Sequence, residues 1–217
     1  MSLPTVLLTG FEPFEGEDVN PAQEVVRELA GERIAGHRVE PFVLPVTFTD
    51  AVERLADVIA STRPSLVIAI GQAGSRARIS IERVAINLID ARIADNDGAQ
   101  PVDEPVIAGA PAAYFSTLPV KAMLAALESA GVPAELSFSA GSFVCNALFF
   151  ALMHVLATRH PGLRGGFIHV PYLPRQAARH AGAASMDIGT LSKGIGIAIE
   201  AALTNAADLR IAAGTTD

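Results

Sequence analysis

Leu66-Val67-Ile68-Ala69-Ile70, closed by Gly71-Gln72-Ala73-Gly74, is the stretch on which the fold turns. Five apolar residues without polar alternation describe a strand covered on both faces, as in a parallel sheet flanked by helices. Upstream, Asp50 to Ser61 reads as a helix that stops ahead of Pro64, since proline drives the residue before it out of the helical region. Thr5 to Leu8 is a short apolar strand ending at Thr9-Gly10. Asn20-Pro21 opens a helix, with Asn as N-cap, Pro at the first helical position and Gln23 where a capping box needs it. Arg38 to Val46 reads as an extended segment broken by Pro41 and Pro45. Downstream, Arg78 to Leu88 reads as one strand, Val120 to Ser129 as a helix, and Glu135 to Phe138 and Gly166 to Val170 as further strands. Leu191 to Leu209 reads as a closing helix weakened at its start by Gly194 and Gly196. Strands alternating with helices predict an α/β fold with a mainly parallel sheet. Ile89 to Ala113 lacks periodicity, and a long irregular segment of this kind is usually either functional or a mistaken element assignment. Without repeats, low-complexity tracts or linkers, the expectation is a single catalytic domain over 1–217.

Half of the 217 residues are hydrophobic and only 18% are charged, which suits a compact chain with much fully buried structure. A formal net charge of −7 argues against nucleic acid or an anionic membrane as partner. No apolar run is long enough to span a bilayer, and Met1 to Gly10 reads as a first strand, not a signal peptide. One cysteine cannot form an internal disulfide, so a reducing, cytoplasmic setting is expected.

That cysteine lies in Ser139-Ala140-Gly141-Ser142-Phe143-Val144-Cys145-Asn146, between a strand and a helical pattern carried by Leu148, Phe149, Leu152, Val155 and Leu156. Ser142 fits an N-cap, which places Cys145 in the first helical turn. There the unpaired N–H groups and the helix dipole favour an anion and lower a thiol's pKa. The same helical face carries Leu148, Phe149 and Leu152, and free cysteine also serves as a small buried hydrophobe. The stretch alone accommodates either role.

A thiol nucleophile needs a base and a group that orients the base. Of the five histidines, His37 and His180 sit in polar surroundings, and His154 and His160 fall where a cation caps a helix C-terminus. His169 differs: it ends an apolar strand just before Val170-Pro171, and in α/β sheets sites gather at the carboxyl ends of strands. If the strand before Cys145 is parallel to it, both residues share one edge; the alternative is a core histidine satisfied by backbone. Alternation along Arg78 to Leu88 places Glu82 on one face with Val84, Ile86 and Leu88, and Arg83 on the other. A carboxylate on an apolar face needs a partner. That partner is either a cationic imidazole or an arginine such as Arg76, Arg78 or Arg92. With no histidine pair at ligand spacing and no second thiol, neither metal nor cofactor is expected. Asp95 to Gly98 lacks a calcium-loop pattern, and Gly71 to Gly74 lacks the Lys-Ser/Thr of a phosphate loop.

Taken together, Leu8 to Phe14, Asn20-Pro21-Ala22, Gly71 to Gly74, Glu82 to Asn87, Asp90 to Ile93, Pro111 to Tyr114, Leu118 to Met123, Ser139 to Asn146 and Phe167 to Pro171 resemble, in order, the pyroglutamyl-peptidase I (pyrrolidone-carboxylate peptidase) family. The resemblance covers most of the chain. It implies a three-layer αβα sandwich, phosphorylase/hydrolase-like, with a mainly parallel, mixed central sheet, often assembled as a homotetramer or dimer. It implies Cys145 as nucleophile, His169 as general base and Glu82 as orienting acid. Phe11, Phe14, Gln72, Ile93, Phe143 and Val144 fall on the family's pocket positions, and Arg92 beside the reaction centre. The implied substrates are peptides with N-terminal pyroglutamate, hydrolysed through a thioester. The ring is a neutral lactam, so aromatic walls from Phe11, Phe14 and Phe143 with one or two polar contacts from Gln72 or backbone suit it. Backbone N–H groups at the helix start, with Arg92, would hold the oxyanion. Glu15, Ser75, Ile81, Ala147, Phe150 and Arg175 depart from residues common in the family, and Glu15 adds charge beside the pocket loop. Two other readings are a thiol amidase for a different small acyl group and a small-ligand-binding protein in which Cys145 is merely packed.

Overall fold

The structure, a computed structural model, describes residues 3–214. Its elements run β1 (Thr5–Phe11), α1 (Pro21–Glu28), β2 (Arg33–Ile34), β3 (His37–Leu44), α2 (Asp50–Thr62), β4 (Leu66–Gln72), β5 (Ile79–Glu82), β6 (Val84–Ile86), β7 (Ala113–Phe115), α3 (Val120–Ser129), β8 (Ala134–Ser137), α4 (Val144–Arg159), β9 (Arg164–Val170), α5 (Pro174–Ala177) and α6 (Ile188–Thr204). A seven-stranded sheet has the order β2-β3-β1-β4-β9-β5-β8, and β6 and β7 form a separate antiparallel pair. The pairs β3/β1, β1/β4, β4/β9 and β5/β8 are parallel; β2/β3 and β5/β9 are antiparallel.

Alternation within the buried strands generates the layers. Val6 and Leu8 of β1 and Ile68 and Ile70 of β4 pack with residues of α1, α3 and α6, among them Val25, Met123 and Ile195. Leu7, Val67 and Ala69, one residue out of step, pack with Leu55 and Ile59 of α2 and Phe149 and Leu152 of α4. Leu66 to Ile70 are wholly inaccessible. The result is the αβα sandwich with a mixed, mostly parallel sheet.

Several boundaries differ from the sequence reading. Pro41 does not break β3, because it pairs with Leu8 while β2 reaches only His37 and Arg38 on the other side. Its missing N–H therefore falls on an open edge, where proline is tolerated. Gln23 closes no capping box; Asn20 alone caps α1, accepting from Ala22 N at 3.0 Å. α6 starts earlier and ends sooner than Leu191 to Leu209. Gly194 is needed inside it, since an added Cβ would lie 2.5 Å from Ile79 Cδ1.

The largest revision concerns Arg78 to Leu88, which is two strands. Arg83 N donates to Ser137 O (2.7 Å) and Arg83 O accepts from Ser116 N (3.0 Å), so the chain leaves the main sheet there and pairs with β7. Glu82 therefore does not share a face with Val84, Ile86 and Leu88.

The long segment after β6 stays irregular but is firmly tied. Buried Asp95 accepts from Phe48 N (2.9 Å), Asp97 N (3.0 Å) and Ala99 N (2.8 Å). Asn96 donates to Glu12 Oε1 and Pro13 O. Phe48, held this way, meets Phe143 edge-on with ring centroids 5.3 Å apart. Asp95→Ala should lower stability by about 2–3 kcal/mol in urea denaturation, because it leaves buried donors unpaired. Asp95→Asn, which keeps one acceptor oxygen, should lose less.

Candidate active site

Register puts three side chains on one face. Ser80 pairs with His169 across β5 and β9, so Glu82, two residues on, is the diagonal neighbour of His169 on the same side. Gly71 of β4 pairs with His169 from the other side. The start of α4 packs over that glycine: a Cβ there would lie 2.8 Å from Cys145 Sγ and 2.7 Å from Phe167 Cζ. A bare position in β4 is thus what lets the thiol rest beside the strand that carries His169. The expected common strand edge is not the reason, because β8, which precedes Cys145, runs antiparallel to β9. The loop of residues 138–143 brings the chain back.

Glu82 is fully buried. Its Oε1 accepts from His169 Nδ1 at 2.7 Å and from Arg76 Nη1 at 2.6 Å. Both partners weighed from sequence are therefore present on one oxygen. With Nδ1–H donating to the carboxylate, Nε2 is left as the basic nitrogen of a neutral imidazole. The Phe167 ring lies 4.9 Å from the imidazole centroid and supports its plane.

Arg76 also donates through Nη2 to Ser139 O at 2.8 Å, tying the carboxylate to the loop before Cys145. Ser142 is not the N-cap: α4 begins after Phe143, and Ser142 Oγ donates to Asp90 O (2.8 Å). Buried Asn146 accepts from Ile86 N and donates to Ile86 O and Leu88 O at 2.9–3.0 Å, stapling the helix start to β6. Neither tie was readable from spacing, since the partners lie about 60 residues apart. Cys145 remains in the first turn. The first helical bond runs from Ala147 N to Phe143 O, so the N–H groups of Val144, Cys145 and Asn146 have no helical acceptor.

A cleft of about 470 Å³ opens over Cys145 and His169, lined also by Phe14, Gln72, Ile93, Phe143 and Arg92. A side chamber of about 20 Å³ lies between Phe11, Phe14, Val46, Gln72, Phe143, Val144 and Cys145. Every pocket residue expected from sequence thus borders one space or the other; Glu82 lies behind them. Arg92 is exposed at the cleft. Glu15, also at the cleft, has φ 55°, in the left-handed region that favours glycine. A glycine would hold that conformation without the strain that the glutamate bears.

Electrostatics reverse one expectation. Burial first, and the nearby Glu82 charge second, push the Cys145 thiol up to about 12, against a smaller lowering by Arg76. The helix start does not outweigh burial and the Glu82 charge. Burial also lowers His169 below 6.5, more than its hydrogen bond to Glu82 raises it. Although Cys145 borders the cleft and is only half-buried, both directions favour thiol plus neutral imidazole over thiolate plus imidazolium. Among the described residues no cluster of three or more His, Cys, Asp or Glu side chains could hold a metal ion.

The family model described as Pyroglutamyl peptidase matches residues 4–205. A pyrrolidone-carboxylate peptidase of Cupriavidus taiwanensis is 56% identical over 210 residues, covering 96% of this chain and 97% of that protein. Pyrrolidone-carboxylate peptidase 1 of Ralstonia nicotianae is 55% identical over 214 residues, 98% of this chain and 99% of that one. The crystal structure of pyroglutamyl peptidase I from Bacillus amyloliquefaciens superposes with a TM-score of 0.94 at 41% identity, covering 97% of this chain and all of that chain.

The resting protonation state is testable by alkylation. Inactivation by iodoacetamide should keep accelerating with pH beyond 9.0, the ordinary value for the thiol, as thiolate accumulates. A profile already flat between pH 6 and 8.5 would instead mark a preformed ion pair.

Proposed function

Because the chain belongs to the pyroglutamyl peptidase family, we propose that Cys145 is the nucleophile, His169 the base and Glu82 the residue that orients it. The chain is a hydrolase, a pyroglutamyl peptidase, and its substrates are peptides that begin with pyroglutamate. The residue assignment rests on one observation above others: the 2.7 Å bond from His169 Nδ1 to buried Glu82, on the face where the only cysteine lies against Gly71.

In this reading Cys145 Sγ attacks the carbonyl that joins the ring to the next residue while His169 Nε2 takes the thiol proton. General-base transfer at the moment of attack suits a thiol held well above its usual pKa. The imidazolium then forms beside Glu82, whose carboxylate stabilises it. N–H groups at the start of α4, with Arg92 at the cleft, receive the developing oxyanion. Collapse breaks the C–N bond, and Nε2–H passes its proton to the departing amine. Water, deprotonated by His169, cleaves the thioester, and pyroglutamate leaves as the thiol is restored.

The ring enters the chamber bounded by Phe11, Phe14, Phe143 and Val144, with Gln72 as its polar contact and Ile93 at the mouth. A space of about 20 Å³ holds about one water, so ring entry must move an aromatic wall. The Phe14 side chain is the wall with room to turn, since it is only half-buried and 6.4 Å from Phe143. We further propose that the chain works as one catalytic domain, in the cytoplasm, and as a homo-oligomer. The last point is supported by exposed Phe115 and Phe138, large apolar groups that association would cover.

The test is release of a fluorophore from pyroglutamyl-amide. Cys145→Ser should abolish it without loss of stability. Glu82→Gln should lower kcat by about 10²-fold or more with little change in KM; near-normal kcat in folded Glu82→Gln would return Glu82 to a purely structural ion pair. Because His169 is lowered from 6.5, neutral imidazole persists below that pH. The acid limb of kcat/KM should therefore have its midpoint below 6.5, and a midpoint above it would contradict the buried, neutral base.

A further inference from the structure

Gln176 is 1% exposed and takes no part in the chemistry above, yet its carboxamide meets three polar groups. Oε1 accepts from Leu173 N at 3.1 Å. Nε2 donates to Val19 O and to Gln72 Oε1, both at 3.0 Å. Two of these partners are main-chain groups of fixed polarity: an N–H can only donate and a C=O can only accept. They decide which end of the Gln176 amide is nitrogen. That decision passes to the next residue, because whatever atom of Gln72 meets Nε2 of Gln176 must be an acceptor, hence Oε1. The amide nitrogen of Gln72 is then the free end, with no protein acceptor among the described residues. Gln72 closes β4 and borders both the cleft and the aromatic chamber.

We infer that Gln176 is a specificity-determining positioning residue: it locks the Gln72 amide so that a donor, not an acceptor, is offered to the ring. A five-membered acyl ring bearing a carbonyl is selected, and one lacking that carbonyl leaves the Gln72 N–H unpaired. The inference rests on the substrate reading above and adds the device that sets the polarity of the pocket. Left to itself, a glutamine amide can present either end at nearly equal cost. The two backbone partners remove that freedom before substrate arrives, which is preorganisation.

The experiment compares two fluorogenic amides, pyroglutamyl and cyclopentanecarbonyl, the second having the ring size without the lactam. Gln176→Glu, in its ionised form, replaces the donor by an acceptor facing both Val19 O and Gln72, so Gln72 turns its nitrogen toward the carboxylate and its oxygen toward the ring. For this variant kcat/KM on pyroglutamyl-amide should fall about 100-fold, chiefly through KM, while the cyclopentanecarbonyl amide changes by less than about threefold. Gln72→Leu should itself collapse the discrimination, and adding Gln176→Glu to it should change the ratio no further. Equal losses on both amides, or losses that add to those of Gln72→Leu, would reduce Gln176 to a structural residue and overturn the inference. Cys145 alkylation at unchanged rate certifies the fold. If Gln176→Glu fails that check, Gln176→Met, of similar volume and with neither donor nor acceptor, only frees the Gln72 amide, so kcat/KM on pyroglutamyl-amide should fall a few-fold, about two- to fivefold, while the cyclopentanecarbonyl amide stays unchanged. A wild-type protein that does not cleave pyroglutamyl-amide refutes the substrate reading. One that does, with discrimination intact in both Gln176 variants, refutes only the role of Gln176.

Discussion

A carboxylate with no solvent access governs this site. Burying Glu82 is costly unless its charge is met by partners of good geometry. The chain meets it with Arg76 from the loop after β4 and with His169 from β9, both on Oε1. Each partner has consequences elsewhere. Arg76 reaches on to Ser139 O and so couples the acid to the loop that delivers Cys145. His169 is committed to one tautomer. The turn of the chain at Arg83, where the backbone bonds Ser137 and Ser116, ends β5 at the glutamate and sends the next strand away from the sheet.

The thiol shows which electrostatic effect prevails when several compete. Placement in the first turn of α4 brings free N–H groups and the positive end of the helix dipole, an effect worth about 0.3–1 kcal/mol at exposed sites. Against it stand removal from water and the charge of Glu82, and the balance is a thiol pushed up to about 12. Arg76 lowers that value but is largely occupied by the same glutamate. A neutral pair is favoured, and in the mechanism proposed above His169 must then take the thiol proton as Cys145 attacks.

The chamber beside Cys145 is built by a different set of forces. Phe11, Phe14 and Phe143 give the chamber apolar walls, and the edge-on packing of Phe48 on Phe143 passes the wall's support back to Asp95. The irregular stretch after β6 is therefore a brace, held by side-chain-to-backbone bonds where no sheet or helix supplies them. Tyr172, another cleft residue, stacks on His180 at 4.8 Å, and His180 bonds Glu17 at 2.6 Å. The segment that carries Phe14 and Glu15 is thus attached at its far end as well.

What the sequence determined by itself was whatever depends on local pattern. The unbroken apolar run Leu66 to Ile70 announced a doubly covered strand, because no residue in it tolerates water. Asn20-Pro21 announced a helix start, because capping is a bond between near neighbours. The order of motifs pointed to the family and, through it, to Cys145, His169 and Glu82. Where spacing was used to explain how these meet, it failed: Glu82 was assigned a strand that does not continue past it, and Cys145 an edge reached by a parallel strand that runs the other way. Ser142 looked like a cap, yet its hydroxyl goes to Asp90 O. Arg76, Asn146 and Gln176 have partners 60 or more residues distant, and a polar side chain far from its partner leaves no periodic trace. Only tertiary structure could decide the double pairing on Glu82, the neutral thiol and the orientation of Gln72, because each depends on which groups share a buried space, and burial sets both the cost of a charge and the polarity of the amide that must face it.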